Sequence, residues 1–152
     1  MSVYKIRSET IIQKPISEVY NFITTVANWT GIHPATKDIL GPSGINSTAV
    51  PGLKFVEVVE ARGLNFNCEW EVRKVVKNEF FEIIFPADFT HGPLNEIVIT
   101  YNLTAAGDNA TKFVRTMVNF CKPDAKEEET RDLEEPGMHD NYLKAVKARL
   151  EG

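Results

Sequence analysis

The stretch 64–72, LNFNCEWEV, alternates apolar and polar residues without interruption. Leu64, Phe66, Cys68, Trp70 and Val72 share one side of an extended chain, while asparagine and glutamate residues occupy the other. Because successive side chains of a strand point to opposite sides, this pattern predicts a β-strand with one dry face and one wet face. The β-type run 53–62 precedes it across Gly63, as in a tight hairpin.

Further strand patterns lie on both sides of this hairpin. We expect strands over 3–13, 35–40, 79–86, 97–103 and 111–121, and a loop over the glycine- and proline-rich stretch 41–52. The links between the later strands are short, which favours antiparallel pairing because parallel neighbours need long crossover connections. The predicted sheet therefore has about six or seven antiparallel strands.

Two helical patterns flank the strands. Pro15 permits a helix whose apolar stripe contains Val19, Phe22, Ile23 and Val26, and residues 27–34 predict a second short helix or turn. A terminal helix begins after Pro136-Gly137 and carries an apolar stripe. Its members are Met138, Tyr142, Val146 and Leu150. When the helix lies in the concavity of a curved sheet, the apolar stripe of the helix and the apolar face of the sheet are both buried. We therefore predict an α+β fold.

Length and composition predict a single domain over residues 1–152. Hydrophobic residues make up 43% and charged residues 25% of the chain, as in ordinary globular proteins. The net charge of −4 comes from the segment 124–135, whose seven acids and two bases sum to −5. We interpret this segment as a solvated connection. No cluster of basic residues is present, so we expect no nucleic-acid partner.

The chain has no apolar run long enough to span a membrane, so we expect no membrane insertion and a cytoplasmic location. Cys68 and Cys121 each lie within a strand pattern and have no C-x-x-C partner. We therefore expect both to be reduced residues of the core.

Four short segments resemble the START-like superfamily, also called the SRPBCC or helix-grip superfamily. They are 12–20 (IQKPISEVY), Trp29 with Pro34, 50–55 (VPGLKF) and 142–151 (YLKAVKARLE). The resemblance is strongest to the polyketide cyclase/dehydrase-like branch and the related chaperone activators. It implies a curved antiparallel sheet wrapped around the C-terminal helix, with two short helices after the first strand. Pro136-Gly137 departs from the longer unbroken helix of many members.

The resemblance implies an internal cavity for an apolar small molecule, and aromatic residues are its expected lining. For each candidate, ordinary core packing is the alternative. The candidates are Phe22, Trp29, Phe66, Trp70, Tyr101, Met138 and Tyr142. Arg115 is ambiguous, because its face of the last strand also carries Phe113 and Met117. We favour surface pairing with a sheet glutamate, whereas an inward Arg115 would anchor a carboxylate or a polar headgroup.

Acid-base groups are scarce on the predicted dry face, which carries hydroxyls and a thiol. Its polar members are Ser8, Thr10, Cys68, Tyr101 and Thr116. His33, His91 and His139 lie where the cavity mouth is expected, but we expect each to be exposed to solvent. The chain has no metal-ligand spacing, nucleophile signature or phosphate-binding loop, so we expect no metal and no cofactor.

These patterns leave three hypotheses. Binding or transport of an apolar small molecule such as a lipid, polyketide or aromatic metabolite ranks first, because the predicted interior has no confident acid-base group. A cyclase, aromatase or dehydratase that uses the same cavity ranks second, and it requires an inward arginine, histidine or glutamate in contact with a tyrosine or serine. A chaperone-activator-like interaction module that uses the acidic stretch ranks third.

Overall fold

A computed structural model of the chain describes residues 3–32, 35–61, 64–85, 94–126 and 137–152. Seven strands form one sheet. Their bounds are β1 Val3–Ile12, β2 Thr36–Leu40, β3 Lys54–Ala61, β4 Leu64–Val76, β5 Phe80–Phe85, β6 Leu94–Ala105 and β7 Thr111–Cys121. Helix α1 spans Ile16–Thr24, a 3₁₀ turn spans Val26–Trp29, and helix α2 spans Gly137–Glu151.

The spatial order of the strands is β1-β7-β6-β5-β4-β3-β2, and every neighbouring pair is antiparallel. From β2 to β7 the chain pairs each strand with the next one in sequence, whereas β1 pairs with the last strand. The first strand therefore joins the end of the meander. This topology places residues that are far apart in sequence directly opposite each other.

The inner face of the sheet is mostly apolar, and the two helices cover it. Val19 and Ile23 of α1, with Tyr142 and Val146 of α2, join the core that the inner sheet residues form. The expected stripes of both helices are thus largely confirmed, although Phe22 is only partly buried. Burial of one stripe of each helix against one face of the sheet is what gives the fold its layered arrangement.

The C-terminal end of α2 is tied to the end of β1. Nζ of Lys147 donates to the carbonyl oxygen of Ile11 over 2.5 Å, and the backbone N–H of Gln13 donates to Glu151 over 2.8 Å. Lys147 and Glu151 also form an ion pair of 2.6 Å with each other. These contacts fix the C-terminal end of α2 against the end of β1.

The fold prediction is confirmed: the chain is an α+β protein in which a seven-stranded antiparallel sheet carries a C-terminal helix. Cys68 and Cys121 are free and buried, as expected. The hairpin at Gly63, and residues 127–135 of the acidic segment, lie outside the described residues. No helix among the described residues is long and apolar enough to cross a membrane.

Candidate functional site

Arg115 lies on the inner face of the sheet, and our prediction of a surface ion pair was wrong. Arg115 is only 7% exposed, and Phe113 and Asn119 on the same face of β7 are also buried. Thr116, which we predicted on the dry face, points to the outer side, where it pairs with exposed Arg7 of β1. Both faces of β7 carry apolar residues, so its alternation alone did not show which face is inside.

The guanidinium of Arg115 lies among aromatic rings. Its Cζ atom lies 5.6 Å from the ring centroid of Tyr101 on β6 and 5.1 Å from that of Tyr142 on α2. Arg115 and Tyr101 are direct cross-strand partners, and the first turn of α2 adds His139, whose Nδ1 lies 2.5 Å from Nη1 of Arg115. Two strands and one helix therefore hold the guanidinium in place.

The protonation states of these neighbours follow from their burial. Burial raises the pKa of Tyr101 and raises the pKa of Tyr142 well above its usual value, so both hydroxyls stay neutral and can donate. Burial and the charge of Arg115 lower the pKa of His139 to about 4. Because a guanidinium can only donate, Nδ1 of the neutral His139 accepts, and its proton is assigned to Nε2. His139 is half-buried, so the expectation that it is exposed was wrong.

Arg115 has no carboxylate within ion-pair distance among the described residues. Its Nε–H is also buried and finds no hydrogen-bond partner there, and the same holds for the hydroxyl of Ser8, the residue directly opposite on β1. A buried cation surrounded by π faces and a neutral imidazole keeps an excess of positive potential. The site can therefore accept a negatively polarised oxygen.

Glu57 supplies a carboxylate on the same inner face, which the sequence analysis missed. Its oxygens accept hydrogen bonds from Thr36 Oγ1 over 2.5 Å and Trp70 Nε1 over 3.0 Å. The Glu57 carboxylate also acts electrostatically on Arg115 and Tyr101. The alternation of β3 contained the signal, because Glu57 lies between Phe55 and Val59, both of which are buried.

Cys68 faces the same region from β4, where it pairs directly with Glu57. Burial, together with the nearby Glu57 carboxylate, raises the pKa of the Cys68 thiol to about 12. A thiol that stays protonated is a poor nucleophile. Cys68 is therefore a packing residue, and the candidate functional groups of this face are Glu57 and the Arg115 cluster.

The predicted lining residues Trp29 and Trp70 pack into the core. Trp29 lies 5.5 Å from Phe55 and 6.1 Å from Tyr101 between ring centroids, and Trp70 lies 5.2 Å from Phe85. The indole N–H of Trp29 donates to the carbonyl oxygen of Ile23 over 2.9 Å. These contacts bring Trp29 and Tyr101 together, while the side chains of Phe66 and Met138 lie outside the described part of the structure. Their role in holding a ligand stays a prediction.

A groove of about 430 Å³ lies on the opposite, outer face of the sheet. Its lining is Leu40, Gly41, Lys54, Phe55, Val56, Glu69, Trp70, Glu71 and Ile84. Lys54 and Glu71 pair across it at 3.8 Å. The groove shares only Phe55 and Trp70 with the inner face described above, so it is a separate feature of the surface.

His33 and His91 fall outside the described residues. Within the described ranges, no group of three or more histidine, cysteine, aspartate or glutamate side chains has the arrangement of a metal site. The structure thus brings the candidate groups Arg115, His139, Tyr101 and Tyr142 together, and Glu57 lies on the same inner face.

No protein-family model matches the chain. It is 49% identical over 151 residues to the penitrem biosynthesis cluster 1 protein I of Penicillium ochrochloron. This match covers 99% of each chain. Among solved structures, the Zhui aromatase/cyclase of Streptomyces sp. R1128 superimposes with a TM-score of 0.81 at 12% identity, over 99% of this chain and 94% of that one. A START superfamily protein of Mycobacterium smegmatis gives a TM-score of 0.74 at 10% identity, over 97% of both chains. The chain therefore has the START-like, helix-grip fold and belongs to the family of the penitrem biosynthesis cluster 1 protein I.

Proposed function

We propose that this protein is a cyclase- or dehydratase-type enzyme that acts on a mostly apolar small molecule at the inner face of the sheet. The observation that carries the proposal is the buried guanidinium of Arg115, which contacts Tyr101, Tyr142 and His139 and whose Nε–H has no hydrogen-bond partner in the described part of the chain. A fixed cationic donor that is shielded from water stabilises an oxygen that becomes negative during a reaction. An inward arginine in contact with a tyrosine is also the feature that we expected of a cyclase or dehydratase and not of a simple binder.

The reaction that suits this arrangement starts with removal of a proton next to a substrate carbonyl. The electron pair of the broken C–H bond moves onto the carbonyl oxygen, which faces Arg115, and the proton passes to a carboxylate. Glu57 is the candidate base, because it lies on the same face and acts electrostatically on Arg115. The resulting enolate either attacks a second carbonyl of the same molecule, whose oxygen takes up a proton as the ring closes, or expels a β-hydroxyl group, which takes up a proton and leaves as water.

Neutral Tyr101 and Tyr142 are the candidate proton donors. Both hydroxyls interact with each other and lie beside Arg115. Because burial raises the pKa of each, they hold their protons until a more basic oxygen forms nearby. Tyr142 thus has a chemical role in this proposal in addition to its place in the core.

The comparisons support a role in small-molecule biosynthesis. The fungal relative is named for a biosynthesis cluster, and the bacterial aromatase/cyclase has the same fold. Neither name states a reaction for this chain. At such low sequence identity, the similarity to the bacterial structure supports only the fold. The proposed reaction class therefore rests on the Arg115 cluster.

Binding or transport of an apolar small molecule is the second candidate function. The aromatic residues of the inner face favour it, because Trp29, Tyr101 and Phe81 form an apolar cluster with ring centroids 5.2 to 6.4 Å apart. A carrier needs apolar contacts of this kind but has no need of a buried guanidinium. The two functions therefore differ in what Arg115 does to a bound oxygen.

β-Naphthol tests this difference, because it is an apolar fluorescent phenol whose anion resembles the negative oxygen of an enolate. We expect bound naphthol to titrate about one to three pH units lower than free naphthol, since Arg115 favours the anion. In R115M, neutral naphthol should still bind, but the shift should disappear. The matched control R7M removes an exposed arginine that pairs with Glu9 on the outer face, and it should keep the shift.

An unshifted titration of naphthol bound to the wild-type protein would contradict the catalytic proposal and favour the carrier. A shift that survives in R115M would show that another group binds the anion. Native mass spectrometry of the purified protein adds an independent measurement, because a retained apolar molecule would identify the ligand class directly.

A further inference from the structure

Alternate residues of β7 point to the inner face, and three of them in order are Arg115, Met117 and Asn119. Met117 packs against the core between Ile6 of β1 and Ile99 of β6, which are its direct cross-strand partners. The inner face therefore changes from polar to apolar and back to polar along a single strand. At a rise of about 3.3 Å per residue, Arg115 and Asn119 lie about 13 Å apart along β7.

Asn119 is only 1% exposed, yet neither Oδ1 nor Nδ2 of its amide has a hydrogen-bond partner among the described residues. A buried amide without partners costs stability, because it has lost its hydrogen bonds to water. An apolar side chain at this position would avoid that cost. Asn119 thus resembles Arg115 and Ser8, which also carry buried polar atoms that no described residue contacts by a hydrogen bond.

From this arrangement we propose that Asn119 is a second polar anchor of the ligand site. The inference rests on the proposed function, in which Arg115 holds one oxygen of the substrate. The second anchor adds the substrate class: an elongated, mostly apolar molecule with an oxygen function at each end, about 13 Å apart. Met117, Ile6 and Ile99 contact the apolar part between the two ends.

The two anchors select different oxygen functions. Arg115 only donates, so it matches a carbonyl, carboxylate or enolate oxygen. The amide of Asn119 both donates and accepts, so a single hydroxyl group can accept from Nδ2 and donate to Oδ1. The ligand therefore has a direction, with its carbonyl end at the α2 side and its hydroxyl end at the C-terminal part of β7.

Linear ω-hydroxy carboxylic acids test the second anchor, with unsubstituted acids of the same length as controls. Their dissociation constants are measured by calorimetry over a series from hexanoic to hexadecanoic chains. We expect the hydroxyl to tighten binding about three- to tenfold, and only for chains whose ends lie about 13 Å apart. N119L should bind plain acids as well as the wild type does, but should lose the preference for the hydroxyl.

Two further comparisons make the result decisive. N119D keeps an acceptor oxygen but loses the N–H donors, and it should keep part of the preference, because the ligand hydroxyl can still donate to it. If plain and hydroxylated acids bind the wild type equally, or if N119L keeps the preference, Asn119 is not an anchor, although the role of Arg115 stands. If no acid of either kind binds, the proposed ligand site is overturned together with its second anchor.

Discussion

Nη1 of Arg115 lies 2.5 Å from Nδ1 of His139 and so connects the middle of β7 to the first turn of α2. The contact requires a neutral imidazole, because a protonated ring has no lone pair to accept with and would face a second cation. The protonation of His139 is therefore coupled to the position of α2 over the sheet.

This coupling predicts a loss of stability in mild acid. The pKa of His139 is about 4 in the folded protein, lowered from 6.5 by burial and by Arg115. A depressed histidine pKa means that the unfolded chain binds the proton more tightly, so stability is complete above about pH 6.5 and falls as the pH drops toward about 4. We expect this residue to account for a loss on the order of 2 kcal/mol, allowing for its partial exposure.

Urea unfolding across this pH range measures the effect, with H139N as the control. Asparagine keeps an acceptor near the position of Nδ1 but does not titrate, so the wild type should lose more stability than H139N between about pH 6.5 and about 4. Equal losses in the two proteins would show that other groups cause the pH dependence.

R115M should leave the protein about as stable as the wild type. Methionine removes the desolvation cost of the buried guanidinium, so the free energy of unfolding should stay within about 1 kcal/mol of the wild-type value or exceed it. By comparison, F113A empties a fully buried site two residues away on the same strand face and should cost about 3 to 5 kcal/mol. If R115M costs as much as F113A, Arg115 supports the fold itself rather than a function.

Substitutions of Glu57 should separate its hydrogen bonds from its charge. In E57Q the amide oxygen can still accept from Trp70 and the amide N–H can donate to the Thr36 hydroxyl, so we expect a change below about 1 kcal/mol. E57L leaves both donors without their partner and should cost about 2 to 4 kcal/mol. Chemical denaturation of both variants measures this order, and a destabilised E57Q with an unaffected E57L would contradict it.

The alternation of β4 could be interpreted from the sequence, since Cys68, Trp70 and Val72 are all buried as predicted. This worked because one face of that strand is almost entirely polar. In β7 the same reasoning failed: Val114 and Val118 compete with Phe113 and Met117, and the local pattern is balanced. Arg115 was consequently assigned to the wrong side of the sheet. The predicted interior therefore contained no arginine, and binding was ranked above catalysis.

Glu57 illustrates a different limit. Its position between Phe55 and Val59 predicts an inward carboxylate, but such a residue costs free energy unless something donates to it. The donors are Thr36, which is 21 residues away, and Trp70, which is 13 residues away. Only the pairing of β2, β3 and β4 reveals that both reach the carboxylate.

By itself, the sequence determined the strands, the helices and the antiparallel sheet, because hydrophobic periodicity and turn residues act over a few neighbouring positions. The tertiary structure alone decided that Arg115 points inward. The reason is register: pairing of β7 with β1 and β6 places Arg115 opposite Ser8 and Tyr101, and the docking of α2 adds Tyr142 and His139. No local pattern contains those distances, since the partners come from both ends of the chain.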